Sequence, residues 1–218
     1  TYLHPAGQII MTSLLQFENY LPQDLDDTYF DQFERSLVNL LDINKGNLSV
    51  MCATRIGECL VKVYQKRNPP RIWNLINSFN ESPNPAKIYA IGHIVSKIGK
   101  IGFKSIIPGI VDKLLDVGKN FLHPAIYGIT MCFKRDGNDL EKSVKKAIDL
   151  AKRGLGVNIN KNENGEQIKL MSLKLLRTIA KHNNSQNKKI LDLAFEQIKE
   201  SESSLIYDQA CYTIAKIL

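Results

Sequence analysis

Apolar residues recur along this chain at spacings of three and four in blocks that begin near residues 5, 48, 86, 124, 166 and 204. The intervals between those starts are 43, 38, 38, 42 and 38 residues, and a second block of the same kind follows each of the first five. Such spacing marks a helix with one apolar face. A pair of these helices cannot bury its apolar face alone and needs neighbouring copies. The strongest pair is PNPAKIYAIGHIVSKIGKIGFKSIIPGIVDKLLDVG, residues 83–118. Its first helix sets Ile88, Ala90, Ile91, Ile94, Val95, Ile98 and Ile101 on one face, with Pro85 in the first turn, where a missing N–H costs nothing. Its second helix repeats the pattern at Ile106, Ile107, Ile110, Val111, Leu114 and Leu115, with Ser105 as the expected cap and Pro108 in the first turn.

The same rules place helices over 6–19, from Thr28 to Leu41, from Asn47 or Ser49 to Gln65, and after Pro69-Pro70 through Phe79. Others follow from Pro124 to Lys134 and over 138–155, 166–182, 186–199 and 204–218. A small residue recurs at similar depth in the first helices of the pairs: Gly57, Gly92, Gly128, Ser172 and Ala210. There it lets neighbouring helices approach closely. No stretch alternates as a strand does. A two-helix period near 40 is that of HEAT-type and armadillo-like repeats. The expected fold is therefore all-α: an α-solenoid of antiparallel helix pairs, ten or eleven helices in all, forming one segment over residues 1–218. Its last helix stops within an apolar pattern without the polar cap of a terminal repeat, so the segment reads as an excerpt of a longer repeat protein. The longest irregular stretch, GVNINKNENG at 156–165, reads as a mobile surface loop.

Catalytic and metal chemistry find no foothold in the pattern. The histidines His4, His93, His123 and His182 fall in separate pairs, none with Cys, Asp or Glu at metal-ligand spacing. Phosphate-binding glycine loops follow strands, and no strand is expected. Asp26-Asp27 reads as charge complementing a helix start rather than as an acid–base pair. The reading is a non-enzyme with no cofactor and no metal. Cys52, Cys59, Cys132 and Cys211 lie inside apolar helical patterns without paired spacing, as buried thiols of a reducing compartment do. With no apolar run near the ~20 residues of a membrane span and no signal peptide, the expected location is the cytoplasm.

Surfaces remain. The net charge is +7, and it is uneven: residues 1–80 hold 7 Lys/Arg against 8 Asp/Glu, residues 81–218 hold 22 against 14. Along the second helices run Lys66, Arg67 and Arg71, then Lys104 and Lys113, then Lys142, Lys145, Lys146, Lys152 and Arg153, then Lys188, Lys189 and Lys199. Stacked, they form a basic stripe; unstacked, they are solvated lysines. The densest group, Lys142 to Arg153, lies opposite an apolar stripe of Leu140, Val144, Ala147, Ile148, Ala151 and Leu155 and is the expected partner-binding site. Its expected partner is a protein with an acidic segment. The alternative is a basic helical module that binds nucleic acid or an anionic membrane, with nucleic acid the weaker of the two because few aromatics interleave with the basic residues.

The pattern Ala86…Ala90-Ile91-Gly92…Lys97-Ile98-Gly99…Pro108…Val111…Leu114-Leu115 resembles an N-terminal repeat of the large HEAT-repeat accessory proteins of clathrin adaptors. Asn74-Leu75-Ile76-Asn77 before it and Val144-Lys145-Lys146-Ala147 after it fall at compatible distances, so the resemblance covers residues 30–182. It implies a long cytosolic, protein-binding scaffold for vesicle trafficking at endosomes and the trans-Golgi network, peripherally associated with membranes. It carries over no binding residues.

Overall fold

Short polar residues ahead of the apolar blocks start several of the helices. Ser49 Oγ accepts the Cys52 N–H at 3.2 Å, Asn84 Oδ1 accepts the Lys87 N–H at 2.9 Å, and Ser203 Oγ accepts the Ile206 N–H at 3.4 Å. Each satisfies a donor that a helix start leaves without an intrahelical partner. The computed structural model describes Gln16 and residues 27–42, 48–66, 73–97, 104–200 and 203–218. Among the described residues all regular structure is helical and no strand occurs. The helix expected over 6–19, one of the ten or eleven, lies outside the described residues apart from Gln16, which is helical.

The chain divides into two compact units, Thr1–Lys104 and Ser105–Leu218. The first contains α1 (Asp27–Leu40), α2 (Val50–Lys66), α3 (Trp73–Glu81) and α4 (Pro85–Lys97). Helix α1 packs on α2 and α3, and α4 packs on α3 and most extensively on α2. The α2–α4 contact is close because Gly57 faces it: a Cβ there would lie 3.1 Å from the Ala90 carbonyl oxygen and 3.3 Å from His93 Cβ. Ile56, Leu60 and Tyr64 of α2 and Ile88, Ile91 and Ile94 of α4 are buried. Tyr64 donates its hydroxyl hydrogen to Glu34 Oε1 at 2.9 Å, a buried bond that ties α1 to α2.

A second polar contact pins the other end of this unit. Lys87 is fully buried, 0% exposed. Its Nζ lies 3.0 Å from the Ser78 and Ser82 carbonyl oxygens, 2.8 Å from Ser82 Oγ and 2.7 Å from Asp42 Oδ1. Ser78 lies in the final turn of α3 and Ser82 just beyond it, and the Ser78 carbonyl also accepts the Ser82 N–H at 3.0 Å. Asn84 Nδ2 adds donated bonds to the Leu41 carbonyl (3.2 Å) and Asp42 Oδ1 (3.0 Å). The end of α1, the end of α3 and the start of α4 thus share one ammonium.

The second unit holds α5 (Ile107–Val117), α6 (Leu122–Asp136), α7 (Val144–Leu155), α8 (Gly165–Ala180), α9 (Asn187–Glu200) and α10 (Ser204–Ala215). Two rows form: α6, α8 and α10 pack side by side in that order, as do α5, α7 and α9, and the rows pack on each other. Cross-contacts give the directions. Ser203 donates to Glu166 Oε1 at 2.5 Å, and Arg177 Nη1 donates to Gln209 Oε1 at 3.3 Å, so α8 and α10 run parallel. Gly154, near the end of α7, packs against Ile126 of α6 and Ile168 and Ser172 of α8, in the first halves of both. His182 meets Gly137 and Asn138 just past their ends. Helices α6 and α8 are therefore parallel, and α7 is antiparallel to both. Gly154 has no room for a side chain, since a Cβ would fall 2.1 Å from Ser172 Oγ.

Two local expectations are corrected. Ser105 does not cap α5. It lies in a 3-10 turn, Lys104–Ile106, and α5 starts after Ile106 without a side-chain cap, although Pro108 does fall in its first turn. Residues 138–155 are not one helix. Gly137–Ser143 form a 3-10 turn with Leu140 at φ −104°, ψ 18°, and the α-helix begins at Val144. Gly137 is a weak helix former, and Asn138 Oδ1 lies 3.0 Å from His182 Nδ1. The turn still buries Leu140 with α7's Val144, Ala147, Ile148, Ala151 and Leu155, so the apolar stripe is kept. In the 156–164 segment, Asn158 and Asn162 accept through Oδ1 from the N–H groups of Asn160 and Asn164, each at 2.9 Å. These are side-chain turns of the kind asparagine favours.

Candidate interaction surface on the second unit

Helix α7 has two chemically distinct sides. Val144, Ala147, Ile148, Leu150, Ala151, Gly154 and Leu155 are buried, while Lys145, Lys146, Lys152 and Arg153 are exposed. At 3.6 residues per turn those four bases span an arc of roughly 120°. Lys142, expected on the same helix, stands instead on the preceding 3-10 turn, also exposed. Among the described residues none of the five is in an ion pair within 4 Å. The one carboxylate in the arc, Asp149, is held by Lys189 of α9, whose Nζ lies 3.0 Å from its Oδ1.

That pair matters for the electrostatics of the face. Lys189 reaches from the neighbouring helix to the acidic residue that would otherwise offset the α7 bases, and Lys188 beside it is exposed. The structure thus brings the 142–153 group together with Lys188 and Lys189. An exposed pair of this kind adds little stability, so its consequence is charge balance rather than folding. Of the other stripe members, Lys113 is half-buried on α5 and Lys199 is exposed on α9. Arg67 and Arg71 lie outside the described residues, and so do the side chains of Lys66 and Lys104.

Among the described residues no group of three or more His, Cys, Asp or Glu side chains is placed to hold a metal ion. His93 of α4 is half-buried, with Nε2 3.6 Å from Glu58 Oε1 and no hydrogen-bond partner on that nitrogen. Burial lowers its pKa most; Glu58 opposes the shift and Lys97 adds to it. Burial also lowers the pKa of His123. The Cys132 thiol is pushed up to about 12 by burial, which leaves it protonated and unreactive. Cys52 and Cys59 are buried as well, and Cys211 is half-buried. No described helix is long and apolar enough to cross a membrane.

The sequence reading missed a second basic group, because it followed only the second helix of each pair. Lys134 on α6, Lys174 and Arg177 on α8, Lys181 just past α8, and Lys216 just past α10 sit on or after the first helices. The recurrence held a signal for it. Lys134, Lys174 and Lys216 are 40 and 42 residues apart, the repeat period itself. A scan of the chain against protein-family models and a search of curated proteins found no match.

Proposed function

We propose that this chain is a non-enzymatic scaffold whose stacked helix pairs, an α-solenoid of HEAT or armadillo-like type, present the α7 face to a protein partner. The observation that carries this reading is the exposed cationic arc of Lys145, Lys146, Lys152 and Arg153, set on a fully buried apolar stripe and cleared of its one carboxylate by Lys189. A rigid helix with a single-sign face costs self-repulsion that a mixed Glu/Lys face would avoid. It suits a complementary acidic segment, chiefly by speeding encounter. The two rows of helices in the second unit support the solenoid assignment, since each row repeats the same neighbour relations. The resemblance of residues 30–182 to HEAT-repeat accessory proteins of clathrin adaptors makes adaptor-dependent traffic at endosomes and the trans-Golgi network the proposed setting, in the cytoplasm.

The test is charge reversal. The variant Lys145→Glu/Lys146→Glu/Arg153→Glu is compared with the unaltered chain by affinity capture over a range of salt, after circular dichroism shows equal helicity. Loss of the salt-sensitive partners supports the site. Capture of the same partners with the same salt dependence removes it. Binding carried by anionic vesicles or RNA in place of protein would replace the reading with the membrane or nucleic-acid alternative.

A further inference from the structure

The parallel run of α6, α8 and α10 brings their C-terminal ends to one edge of the second unit. At the α6–α8 contact, Asn138 Oδ1 is 3.0 Å from His182 Nδ1. At the α8–α10 contact, the Arg177 guanidinium carbon lies 4.5 Å from the Tyr212 ring centre, and Nη1 donates to Gln209 Oε1 and to Thr213 Oγ1 at 3.4 Å. Lys216 Nζ lies 5.6 Å from the centre of the same ring. Lys134, Lys181 and Lys216 are exposed, while Lys174 and Arg177 are half-buried between helices. Burial lowers the pKa of Lys134, and the positive charges of Lys174, Lys181 and Arg177 lower it further. Among the described residues no carboxylate lies within ion-pair distance of any of these bases.

A base in the last turn of a helix complements the partial negative charge there, roughly half an elementary charge per helix. That accounts for Lys134, Lys181 and Lys216 taken singly. It does not account for Lys174, which lies further back along α8, and Arg177, in the last turn of α8, is aimed across at α10. It also leaves the edge with more positive charge than three helix ends can offset. We propose that this edge binds an extended acidic segment of a partner protein, with carboxylates at every third position. The spacing follows from geometry: packed neighbouring helices lie about 8–10 Å apart, and a chain in the extended polyproline II conformation advances about 3.1 Å per residue with three residues per turn, so every third side chain faces the same way. Three residues of such a segment therefore step from α6 to α8, and three more from α8 to α10. Arg177, stacked on Tyr212 with Nη1 committed to Gln209 and Thr213, adds a positive charge held in fixed geometry on α8. The ring is already engaged by Arg177 and Lys216, which takes away the stacking platform that single-stranded nucleic acid uses. The proposal shares with the reading above only the premise that the chain binds proteins; it uses a different row of helices.

The experiment is fluorescence anisotropy with the full chain and a labelled synthetic peptide carrying three aspartates at every third position in a Gly/Ser background. A second peptide has the same composition with the aspartates adjacent. Variants Lys134→Glu/Lys181→Glu and the milder Lys134→Gln/Lys181→Gln test the edge, and the charge-matched reversal Lys119→Glu/Lys161→Glu, at exposed positions outside both basic groups, serves as control. The spaced peptide is expected to bind several-fold tighter than the clustered one. Its affinity falls about tenfold or more in the Glu variant, less in the Gln variant, and stays unchanged in the Lys119→Glu/Lys161→Glu control, as loss of complementary charge predicts. Four results would overturn the proposal: equal affinity for the two peptides, unaltered binding by both folded edge variants, an equal loss in the Lys119→Glu/Lys161→Glu control, or tighter binding of polyuridylate or phosphatidylserine vesicles than of the peptide. The α7 reading is tested by its own triple reversal, so the two proposals fail separately.

Discussion

Replacing Lys87 with Met isolates the polar node of the first unit. The side chain keeps nearly its length and loses its three N–H donors. The Ser82 carbonyl loses the Lys87 donor, the Ser78 carbonyl keeps the Ser82 N–H, and Asp42 loses its cation. A buried acceptor left unmade costs about 1–3 kcal/mol, and breaking a buried ion pair costs about 3–5 kcal/mol. Both figures need discounting here, because Asp42 is 44% exposed and Ser82 is exposed, so water replaces part of what is lost. Burying the Met thioether returns a few tenths to about 1 kcal/mol. The expected net loss is about 2–3 kcal/mol. Urea unfolding is the assay, read through Trp73, which is the chain's single tryptophan and starts α3 in the same unit. With a slope of about 2 kcal/mol per molar urea, the midpoint should fall by roughly 1–1.5 M. Asp42→Asn should cost about 0.5–1 kcal/mol, since the carbonyls keep their donor. Lys97→Met, at an exposed position on the same helix, controls for loss of charge. If Lys87→Met unfolds within about 0.2 M of the unaltered chain, or no earlier than Lys97→Met, the ammonium is not what joins the three helix ends.

Further substitutions test the packing. Ile94→Ala and Leu114→Ala, one in each unit at 1% and 0% exposure, should each cost about 2–5 kcal/mol, against under about 0.5 kcal/mol for Lys145→Ala; matching denaturation midpoints would refute this inside–outside assignment. Gly154→Ala should cost about 1–3 kcal/mol, because its Cβ would meet Ser172 Oγ and Ile126 Cδ1; Ser172→Gly in the same chain should recover part of that, and a thermal melt of the pair checks it. The His93 pKa is lowered in the folded chain, chiefly by burial, so the unfolded chain takes up the proton first as pH falls. The stability that depends on neutral His93 is therefore complete above the ordinary histidine pKa and is lost as pH falls below it toward the lower folded value. Midpoints measured from pH 7.5 to 5 should fall less steeply for His93→Gln than for the unaltered chain.

The sequence alone was enough for the helices and their inward faces. Spacings of three and four set the apolar positions, so Ile88, Ile91, Ile94, Ile110, Val111 and Leu114 were expected inside and are buried. The small residues at repeat depth were legible for the same reason, and Gly57 sits at a close helix crossing. The bases of the 142–153 group were placed outside by the same periodicity. What local pattern did not decide was anything depending on a neighbour 30 or more residues away. A lysine at position 87 reads as solvated. It is buried because the ends of α1 and α3 bring a cluster of acceptor oxygens to its ammonium. The 138–155 helix breaks at Leu140 where its N-terminal turn meets His182, 44 residues on. The edge formed by Lys134, Lys174, Arg177 and Lys181 is invisible along the chain, because charges on successive first helices become neighbours only when parallel packing closes the gap of about 40 residues between them. Periodicity is a property of one helix, whereas a shared ammonium or a gathered set of like charges is a property of several. Only the tertiary structure decides which helix ends meet.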